Sequence, residues 1–565
     1  MKNTALFLIL RRMRVPLLVL IGAYAVSILG LVLIPGAGAD GAPQRMGFFH
    51  AFYIMTYTAT TTGFGELPHP FTDAQRLWVT FTMYLSIVAW LYAIGALIAL
   101  LRDPALRQLI GQNRFAAQVR RLHEPFYIIC GHGDTGSVVV RSIVKRRFGA
   151  VVIDRDQERL NELMLENLPV QVPALCADAG LPHSLVLAGL NHSSCRGVLA
   201  LCDDDHVNLR IAIACRLLSP GLTVICRAQT HDAEANMESF GTDAVINHFD
   251  TFADRLALAL HSPDLHLLHE WLTGVPGMPL PERLSPPHGA WVVCGYGRFG
   301  KAVQRYLEFE GVPMTIVESD PEKTRAPSDV IVGRGTEAVT LRAAHVEKAV
   351  GIVAGTDDDA NNLSIIVTAR ELNPKLFLVA RQNDSENDAL FRSARLDLVM
   401  QRARTISRRI LAIITAPLLT DFLRLARHQK AEWVQDLIGD LRPVLGGLTP
   451  DAWSVTLTPE QAPAVHARLA RGEALPLSLL LHDPGDRDQH LQAMALLLIR
   501  GKEEHLRPGE ETVIMSGDRI LFCGQRGMAS RQRRTLDDDR VVDYLVSGET
   551  APAGALWRWL AGRAG

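Results

Sequence analysis

Hydrophobic residues in the first hundred positions form two long stretches without charge, residues 15–36 and residues 77–101. As helices, both are long enough to cross the roughly 30 Å hydrocarbon core of a bilayer. A cleaved signal peptide is the alternative for the first stretch, but its apolar run is long for one and a second stretch follows. The pattern therefore predicts a retained membrane hairpin of two helices.

Positively charged residues flank both outer ends of this hairpin: Lys2, Arg11, Arg12 and Arg14 before the first stretch, and Arg102 and Arg107 after the second. Positive flanks stay on the cytoplasmic side of a membrane. The sequence therefore predicts a multi-pass protein of the cell membrane with cytoplasmic N- and C-termini. The loop between the two helices then faces outward.

The segment between the two stretches, residues 46–65, reads MGFFHAFYIMTYTATTTGFG and is too short to cross the membrane and return as two helices. A short helix that enters, followed by extended chain that leaves, fits its length. Non-helical backbone at that depth is tolerated only where it is buried in protein or lines a water-filled path. Glycines allow backbone angles that turn successive carbonyl groups toward one axis. A Thr/Gly-rich extracellular turn is the alternative interpretation.

Residues 60–66, TTTGFGE, resemble the selectivity filter of potassium channels. The resemblance implies that backbone carbonyls and the Thr61 hydroxyl replace the hydration shell of K+. The filter residues that it assigns are Thr61, Thr62, Gly63, Phe64 and Gly65, with Glu66 as the acid behind them.

Two residues depart from the usual filter pattern. Thr62 replaces valine and Phe64 replaces the commoner tyrosine. Upstream, the aromatic pair that braces many filters is reduced to Tyr53 followed by Ile54. The departures bear on the degree of selectivity for K+ over Na+.

The chain behind residue 125 contains a repeat. Residues 126–141 read FYIICGHGDTGSVVVR, and residues 290–305 read AWVVCGYGRFGKAVQR. Each copy has an apolar strand, a GxGxxG loop and a helix start, and an acid ends the next strand at the same distance from the third glycine. Apolar strands then alternate with helical segments, which predicts two doubly wound α/β domains of the Rossmann type with parallel sheets.

The two loops carry the candidate chemistry. Glycines let the backbone approach a phosphate, the helix N-terminus favours its negative charge, and the acid can accept hydrogen bonds from ribose hydroxyls. The candidate nucleotide-binding residues of the first copy are Gly131, His132, Gly133, Asp134, Thr135, Gly136, Asp154, Arg155 and Asp178. Those of the second copy are Gly295, Gly297, Arg298, Gly300 and Glu318. Arg334 replaces the Asp178 of the first copy, and a Rossmann fold without a ligand is the alternative for both.

Both repeats resemble RCK domains, also called KTN domains. Besides the GxGxxG loops, the matching features are the ADAG segment at 177–180, the DDD runs at 203–205 and 357–359, and the arginines of ICRA and VARQ. RCK domains regulate potassium channels and Trk/Ktr transporters. The resemblance implies NAD or an adenine nucleotide (ADP or ATP) as ligand, Ca2+ as a further candidate, and contacts of Arg227 and Arg381 with a pyrophosphate. The alternatives are ion pairs at strand ends for the arginines and, favoured over a metal site, a solvated loop for the DDD runs.

These patterns divide the chain into a pore domain and a cytoplasmic part. The predicted segments are the two-helix pore domain 1–101, a linker 102–125, the first RCK N-lobe 126–250, crossover helices 251–274, a Pro/Gly-rich linker 275–289, the second RCK N-lobe 290–404, crossover helices 405–440, a small α+β C-lobe 441–545 and a tail 546–565. For His261, His266 and His269, a solvated helix face is favoured over a metal site.

The charge balance and the cysteine positions argue against a nucleic-acid partner, disulfide bonds and a zinc site. The 58 Lys and Arg residues nearly balance 60 Asp and Glu residues, which argues against a nucleic-acid partner because such proteins carry a basic footprint. All eight cysteines follow residue 125 and none forms CxxC. They are predicted to be reduced thiols in a cytosolic core rather than disulfides or a zinc site.

The parts together predict a ligand-gated potassium channel and no enzyme. One hairpin supplies a quarter of a filter, so four chains assemble as a homotetramer in the bilayer, with K+ in the filter. Two RCK units per chain then give a ring of eight. A Trk/Ktr uptake protein would carry four pore repeats in one chain. A membrane-anchored NAD-dependent oxidoreductase would need a substrate domain and an acid/base, and the sequence shows neither. Whether ligand opens or closes the pore stays open.

Overall fold

The computed structural model describes residues 2–37, 43–65, 70–146 and 148–548. Glu66 and the end of the chain from residue 549 lie outside the described residues. The chain divides into two units, residues 1–121 and residues 122–565.

The first unit contains the two predicted membrane helices. Residues 11–33 of the first helix and the whole of the third helix are long and apolar enough to cross a membrane. Trp78 of the third helix donates a hydrogen bond from Nε1 to the Ser27 carbonyl oxygen of the first, at 3.1 Å. The elements of this unit are α1 (Lys2–Leu33), β1 (Pro35–Ala37), β2 (Pro43–Arg45), α2 (Phe48–Ala59), α3 (Asp73–Arg102) and α4 (Pro104–Val119).

The second unit begins with a doubly wound parallel sheet of strand order β5-β4-β3-β6-β7-β8. Its strands are buried apolar runs such as FYIIC, which is expected where helices cover both faces. The elements are β3 (Phe126–Cys130), α5 (Asp134–Lys145), β4 (Gly149–Asp154), α6 (Gln157–Leu165), β5 (Ala174–Cys176), α7 (Pro182–Leu187), β6 (Cys195–Ala200), α8 (Asp205–Leu218), β7 (Thr223–Ala228), α9 (His231–Ser239), β8 (Ala244–Asn247), α10 (His248–His261) and α11 (Pro263–Thr273).

The second repeat builds the same sheet, in the order β11-β10-β9-β12-β13-β14. The predicted pair of Rossmann-type domains is therefore confirmed. The elements are β9 (Trp291–Cys294), α12 (Arg298–Phe309), β10 (Met314–Glu318), α13 (Pro321–Thr324), β11 (Ile331–Val332), α14 (Ala338–Ala343), β12 (Gly351–Ala354), α15 (Asp359–Leu372), β13 (Phe377–Gln382), α16 (Asp388–Ser393), β14 (Leu398–Gln401), α17 (Arg402–Thr415), α18 (Pro417–Ala426) and α19 (Ala431–Leu445).

The two repeats exchange one helix each. Phe252 and Leu256 of α10 belong to the hydrophobic core around Trp291 and Phe299 of the second repeat. Ile406 and Ile410 of α17 belong to the core around Val139 and Ile143 of the first. Each Rossmann core is therefore completed by the helix that follows the other repeat's last strand.

The C-lobe is a small α+β structure, as the sequence predicts. Its main sheet is antiparallel with strand order β15-β22-β19-β20, and one face packs on α11, α18 and α19. The elements are β15 (Asp451–Thr456), α20 (Pro463–Ala470), β16 (Leu475–Pro476), β17 (His482–Asp483), β18 (Asp486–His490), β19 (Ala493–Arg500), β20 (Glu503–Leu506), β21 (Val513–Ile514), β22 (Arg519–Gly524), α21 (Met528–Asp537) and α22 (Asp539–Ser547).

The interpretation of His261, His266 and His269 as a solvated helix face holds for His261, which is exposed at the end of α10, and is wrong for the two histidines of α11. His266 is buried, and burial lowers the pKa of His266 and, further, that of His269. Their neighbour Glu270 pairs with Arg255 and Arg408 at 3.3 and 2.9 Å. Burial alone would raise the pKa of Glu270, but these two charges lower it to about 2. The helix carries a buried ion-pair network because it lies between both repeats and the C-lobe.

The cysteines are all free thiols, as predicted. Six of them are buried, namely Cys130, Cys195, Cys215, Cys226, Cys294 and Cys523, whereas Cys202 is half-buried and Cys176 is exposed, so the prediction of a core position is wrong for Cys176. Burial raises the pKa of Cys294 to about 12, which keeps that thiol protonated and unreactive.

Candidate functional site

The predicted filter residues form a non-helical segment at the end of α2. The chain turns out of the helix with backbone hydrogen bonds from the Thr62 and Gly63 N–H groups to the Tyr57 carbonyl oxygen, at 2.9 and 3.3 Å. Gly63 and Gly65 take positive φ values of 64° and 101°, which glycine adopts without steric cost. Thr61 also has a positive φ, 61°, a conformation uncommon for a residue with a β-branched side chain. All five residues from Thr61 to Gly65 are exposed in the single chain.

Two tyrosines of α2 support this segment from behind. The Tyr57 hydroxyl donates a hydrogen bond to the Gly65 carbonyl oxygen. The Phe64 ring stacks on Tyr53 at 6.4 Å between centroids and meets the edge of Tyr57 at 5.6 Å. The sequence analysis considered only Tyr53 and Ile54 as braces. The signal for Tyr57 was its spacing of one helical turn from Tyr53, which places both rings on one face of α2.

A cleft of about 350 Å³ lies at the carboxyl ends of the strands in the first repeat. Its floor is the loop between β3 and α5, where Gly131 has a φ of 98°. A Cβ atom on Gly136 would lie 2.0 Å from the Gly131 carbonyl oxygen, so only glycine fits this turn. Of the predicted residues, the lining includes Gly131, Gly133, Asp134, Thr135, Gly136, Asp154, Arg155 and Arg227.

The acids of this cleft are held by local contacts. The Asp154 carboxylate accepts hydrogen bonds from the His132 and Asp156 N–H groups and so fixes the glycine-rich loop. Of the predicted residues, Asp178 and His132 do not line the cleft, and Asp178 pairs with the lining residue Arg155 at 2.9 Å. Burial alone would raise the pKa of Asp178, but the Arg155 guanidinium lowers it. His132 is buried, and burial lowers its pKa.

Two arginines meet one carboxylate at the inner end of the cleft. Arg227 is only 2% exposed, and its Nη1 lies 2.7 Å from Asp203 Oδ1. Arg402 Nη1, from the second repeat, lies 3.7 Å from the same oxygen. Arg227 was predicted from its motif, whereas Arg402 was not, because nothing in the sequence shows that α17 packs on the first repeat.

The second loop has a different environment. A Cβ on Gly300 would lie 2.0 Å from the Gly295 carbonyl oxygen, the same close approach as in the first loop. Glu318 accepts hydrogen bonds from the Tyr296 and Asp320 N–H groups, at 2.6 and 2.9 Å. Gly297 is the N-cap of α12.

Phe249 of the first repeat's α10 comes to this second loop. Arg381 and Arg298 lie over its ring, with guanidinium carbons 5.0 and 5.6 Å from the centroid. Arg298 also donates to Gln229 Oε1 at 2.6 Å. Both predicted arginines of the second repeat are therefore engaged by residues of the first.

The DDD runs cap helices and tie loops. Asp204 and Asp358 are the N-caps of α8 and α15. Asp359 is buried and accepts hydrogen bonds from the Asn383 and Asp384 N–H groups, at 2.7 and 3.1 Å. The favoured interpretation as a solvated loop is therefore wrong for Asp359.

Within the described residues, a group of metal-ligating side chains with all ligand atoms within 4.8 Å of one another is His231, Glu234 and Asp250. The sequence analysis did not single out these residues. They lie on α9 and α10, outside both glycine-rich loops.

Comparison with known families assigns the parts of the chain. The ion-channel family model matches residues 15–103, and the TrkA-N domain model matches residues 127–248 and 291–402. These ranges include the membrane helices, the filter segment and both glycine-rich loops. The matched families are a channel and a regulatory domain, not an enzyme.

Similar proteins include two from Methanocaldococcus jannaschii. Potassium channel protein 1 is 23% identical over 39% of this chain and 64% of its own length. Probable potassium channel protein 2 is 27% identical over 36% of this chain and 59% of its own length. A Trk system potassium uptake protein TrkA homologue of Pyrococcus abyssi is 32% identical over 18% of this chain and 46% of its own length. The chain thus spans less than two thirds of the length of each of these relatives.

Among solved structures, a chain described as GsuK channel matches 97% of this chain and 100% of its own length, with 16% identity and a TM-score of 0.47. A chain described as GsuK channel bound to NAD matches 94% and 99%, with 14% identity and a TM-score of 0.46. The family models thus assign an ion-channel domain to the membrane hairpin and a TrkA-N domain to each of the two α/β repeats of this chain.

Proposed function

We propose that this protein is a potassium channel of the cell membrane, a homotetramer whose pore is regulated by nucleotide bound to its cytoplasmic RCK repeats. The observation that carries the proposal is the exposed, non-helical backbone of Thr61–Gly65 between two helices of membrane length. Such backbone is tolerated at membrane depth only where it lines a cavity or is buried in protein.

A fourfold assembly gives this backbone its function. Four copies of the segment around one axis present rings of carbonyl oxygens, which replace the hydration shell of K+. The Tyr57 hydrogen bond and the ring contacts of Phe64 hold the segment at its outer end. The names of the relatives from Methanocaldococcus jannaschii agree with K+ as the permeant ion.

The first cleft fits a nucleotide such as NAD, ADP or ATP. Gly133 and Gly136 line the cleft at the start of α5, where the helix N-terminus favours a phosphate. Arg227 borders the cleft, and the Nε atom of this buried side chain has no hydrogen-bond partner among the described residues. When bound, the nucleotide supplies negative charge and an adenosine moiety, and it takes part in no reaction.

Regulation follows from the two repeats per chain. Four chains contribute eight RCK units, and a ligand that binds one arrangement of these units more tightly shifts the pore equilibrium by that difference in affinity. Both termini are cytoplasmic by the positive flanks of the hairpin. Ca2+ is a second candidate regulator and is tested in the same way as the nucleotides.

Potassium flux from liposomes tests the proposal. The full chain should release K+ at a rate that NAD, ADP, ATP or Ca2+ on the cytoplasmic side changes, and Gly63→Asp should abolish the flux. Gly221→Asp is the matched control, because it makes the same substitution at an exposed turn with no atom within 4 Å of the added Cβ. Equal flux from Gly63→Asp and wild type would refute the pore, and a flux that ignores all four ligands would refute the regulation.

A further inference from the structure

An arginine of the second repeat lines the nucleotide cleft of the first. Arg402 is the first residue of α17, the helix that the second repeat contributes to the core of the first. It borders the cleft together with Arg227, Asp203 and Asp134. The cleft is therefore incomplete without the second repeat.

The contacts of Arg402 leave part of its guanidinium unused. Its Nη2 lies 3.6 Å from Asp134 Oδ2 and its Nη1 lies 3.7 Å from Asp203 Oδ1. Both distances are longer than a hydrogen bond. The Nε atom of Arg402 is buried and, like that of Arg227, has no hydrogen-bond partner among the described residues. Arginines from both repeats thus border one cleft, and the ion pairs of Arg402 there are longer than hydrogen bonds.

The carboxylate between the two arginines is replaceable. Asp203 is 62% exposed at its side chain, whereas Arg227 is 2% exposed. Arg227 is fixed in place, but Asp203 can turn into solvent. A phosphate carries more charge and more acceptor oxygens than a carboxylate, and arginine binds it with two parallel hydrogen bonds.

We propose that Arg402 is a phosphate-binding residue of the first cleft, so that the phosphates of a bound nucleotide are held jointly by Arg227 of the first repeat and Arg402 of the second, in place of Asp203. This inference rests on the proposed binding of a nucleotide in that cleft. It adds that the ligand bridges the two repeats.

The helix that the first repeat contributes to the second carries no corresponding charge. His248 is the first residue of α10 and occupies the position that Arg402 has in α17. It is 1% exposed, and burial and the nearby Arg227 and Arg402 charges lower its pKa well below the usual value. The helix α10 thus begins with a buried, neutral imidazole where α17 begins with a guanidinium.

The inference is tested by measuring how tightly ADP binds to the full chain in lipid nanodiscs. The method is titration calorimetry without divalent cations. Arg402→Gln should weaken ADP binding about tenfold, the worth of a hydrogen bond to a charged group, and Arg402→Lys should recover part of the loss. Asp203→Asn should strengthen binding severalfold because it removes the competing carboxylate. Arg404→Gln, at an exposed arginine of the same helix, should bind as the wild type does.

The opposite signs separate a phosphate contact from a structural one. If Arg402 only joined the repeats through its carboxylate partners, Arg402→Gln and Asp203→Asn would both weaken ADP binding or both leave it unchanged, and either result overturns the inference. Thermal unfolding without ligand identifies a variant that fails to fold. If Arg402→Gln fails, Arg402→Lys takes its place: weaker ADP binding supports the inference, and binding equal to wild type overturns it. If wild type binds no ADP, nucleotide binding and this inference fall together. If wild type binds and Arg402→Gln binds equally, only this inference falls.

Discussion

Replacing Gly136 with alanine should both destabilise the first repeat and remove its nucleotide site. The added Cβ would lie 2.0 Å from the Gly131 carbonyl oxygen and 3.0 Å from the Gly131 carbonyl carbon. Both atoms are backbone, so no side chain can move aside, and the β3–α5 loop must open by more than 1 Å to reach an ordinary contact of about 3.4 Å. Overpacking of this kind costs about 1–3 kcal/mol.

Two matched variants separate the loss of stability from the loss of binding. Gly300→Ala creates the same 2.0 Å clash in the second loop, with the Gly295 carbonyl oxygen. It should lower stability equally but leave ADP binding in the first cleft intact. Gly297→Ala adds a methyl group with no atom within 4 Å, so it should stay within about 0.5 kcal/mol of wild type.

Thermal unfolding and ADP titration of the full chain provide the measurements. A cost of 1–3 kcal/mol lowers a domain's unfolding midpoint by roughly 2–12 °C. We expect this fall for Gly136→Ala and Gly300→Ala, and the loss of ADP binding for Gly136→Ala alone. If the Gly136→Ala protein had the same unfolding midpoint as the wild type and still bound ADP, the conclusion that only glycine fits at this position would be refuted.

Two further predictions concern the pore and α11. Tyr57→Phe removes the hydroxyl that donates to the Gly65 carbonyl oxygen, a hydrogen bond worth about 1 kcal/mol, so the K+/Na+ permeability ratio in planar bilayers should fall. Tyr53→Phe keeps the ring stack with Phe64 and serves as the control. Equal permeability ratios in the two variants would contradict a supporting role of the Tyr57 hydroxyl. Burial lowers the pKa of His266 below 6.5. As the pH falls below 6.5, the unfolded chain therefore takes up a proton that the folded chain does not, and the free energy of unfolding decreases. His266→Leu should reduce this fall in urea unfolding between pH 7.5 and 5.5; an unchanged dependence on pH would exclude His266 as its source.

The repeated hydrophobic pattern predicts most of the fold because it encodes local structure. Apolar runs such as FYIIC form buried parallel strands, and the glycines of GxGxxG stand where the backbone packs too closely for a side chain. The exchange of α10 and α17 has no such local signal. Both helices present an apolar face, and the periodicity of a face does not say which repeat it covers.

The roles of the site residues were harder to predict than their positions. Asp154 ends β4 as the spacing requires, yet its carboxylate accepts hydrogen bonds from the loop's own N–H groups. Motif spacing fixes where a carboxylate lies, but not whether backbone donors already engage it. Arg402 carries no motif at all, and only the packing of α17 on α5 brings it to the first cleft.

Fusion of the two repeats in one chain lets the helices that they exchange differ chemically. Two identical repeats would exchange helices with the same first residue, whereas here α17 begins with Arg402 and α10 with His248. A ligand in the first cleft that contacts both Arg227 and Arg402 favours the arrangement in which α17 lies against α5. Since a ligand shifts an equilibrium only by its differential affinity, regulation by this site requires that the packing of α17 on α5 differ between the open and closed pore.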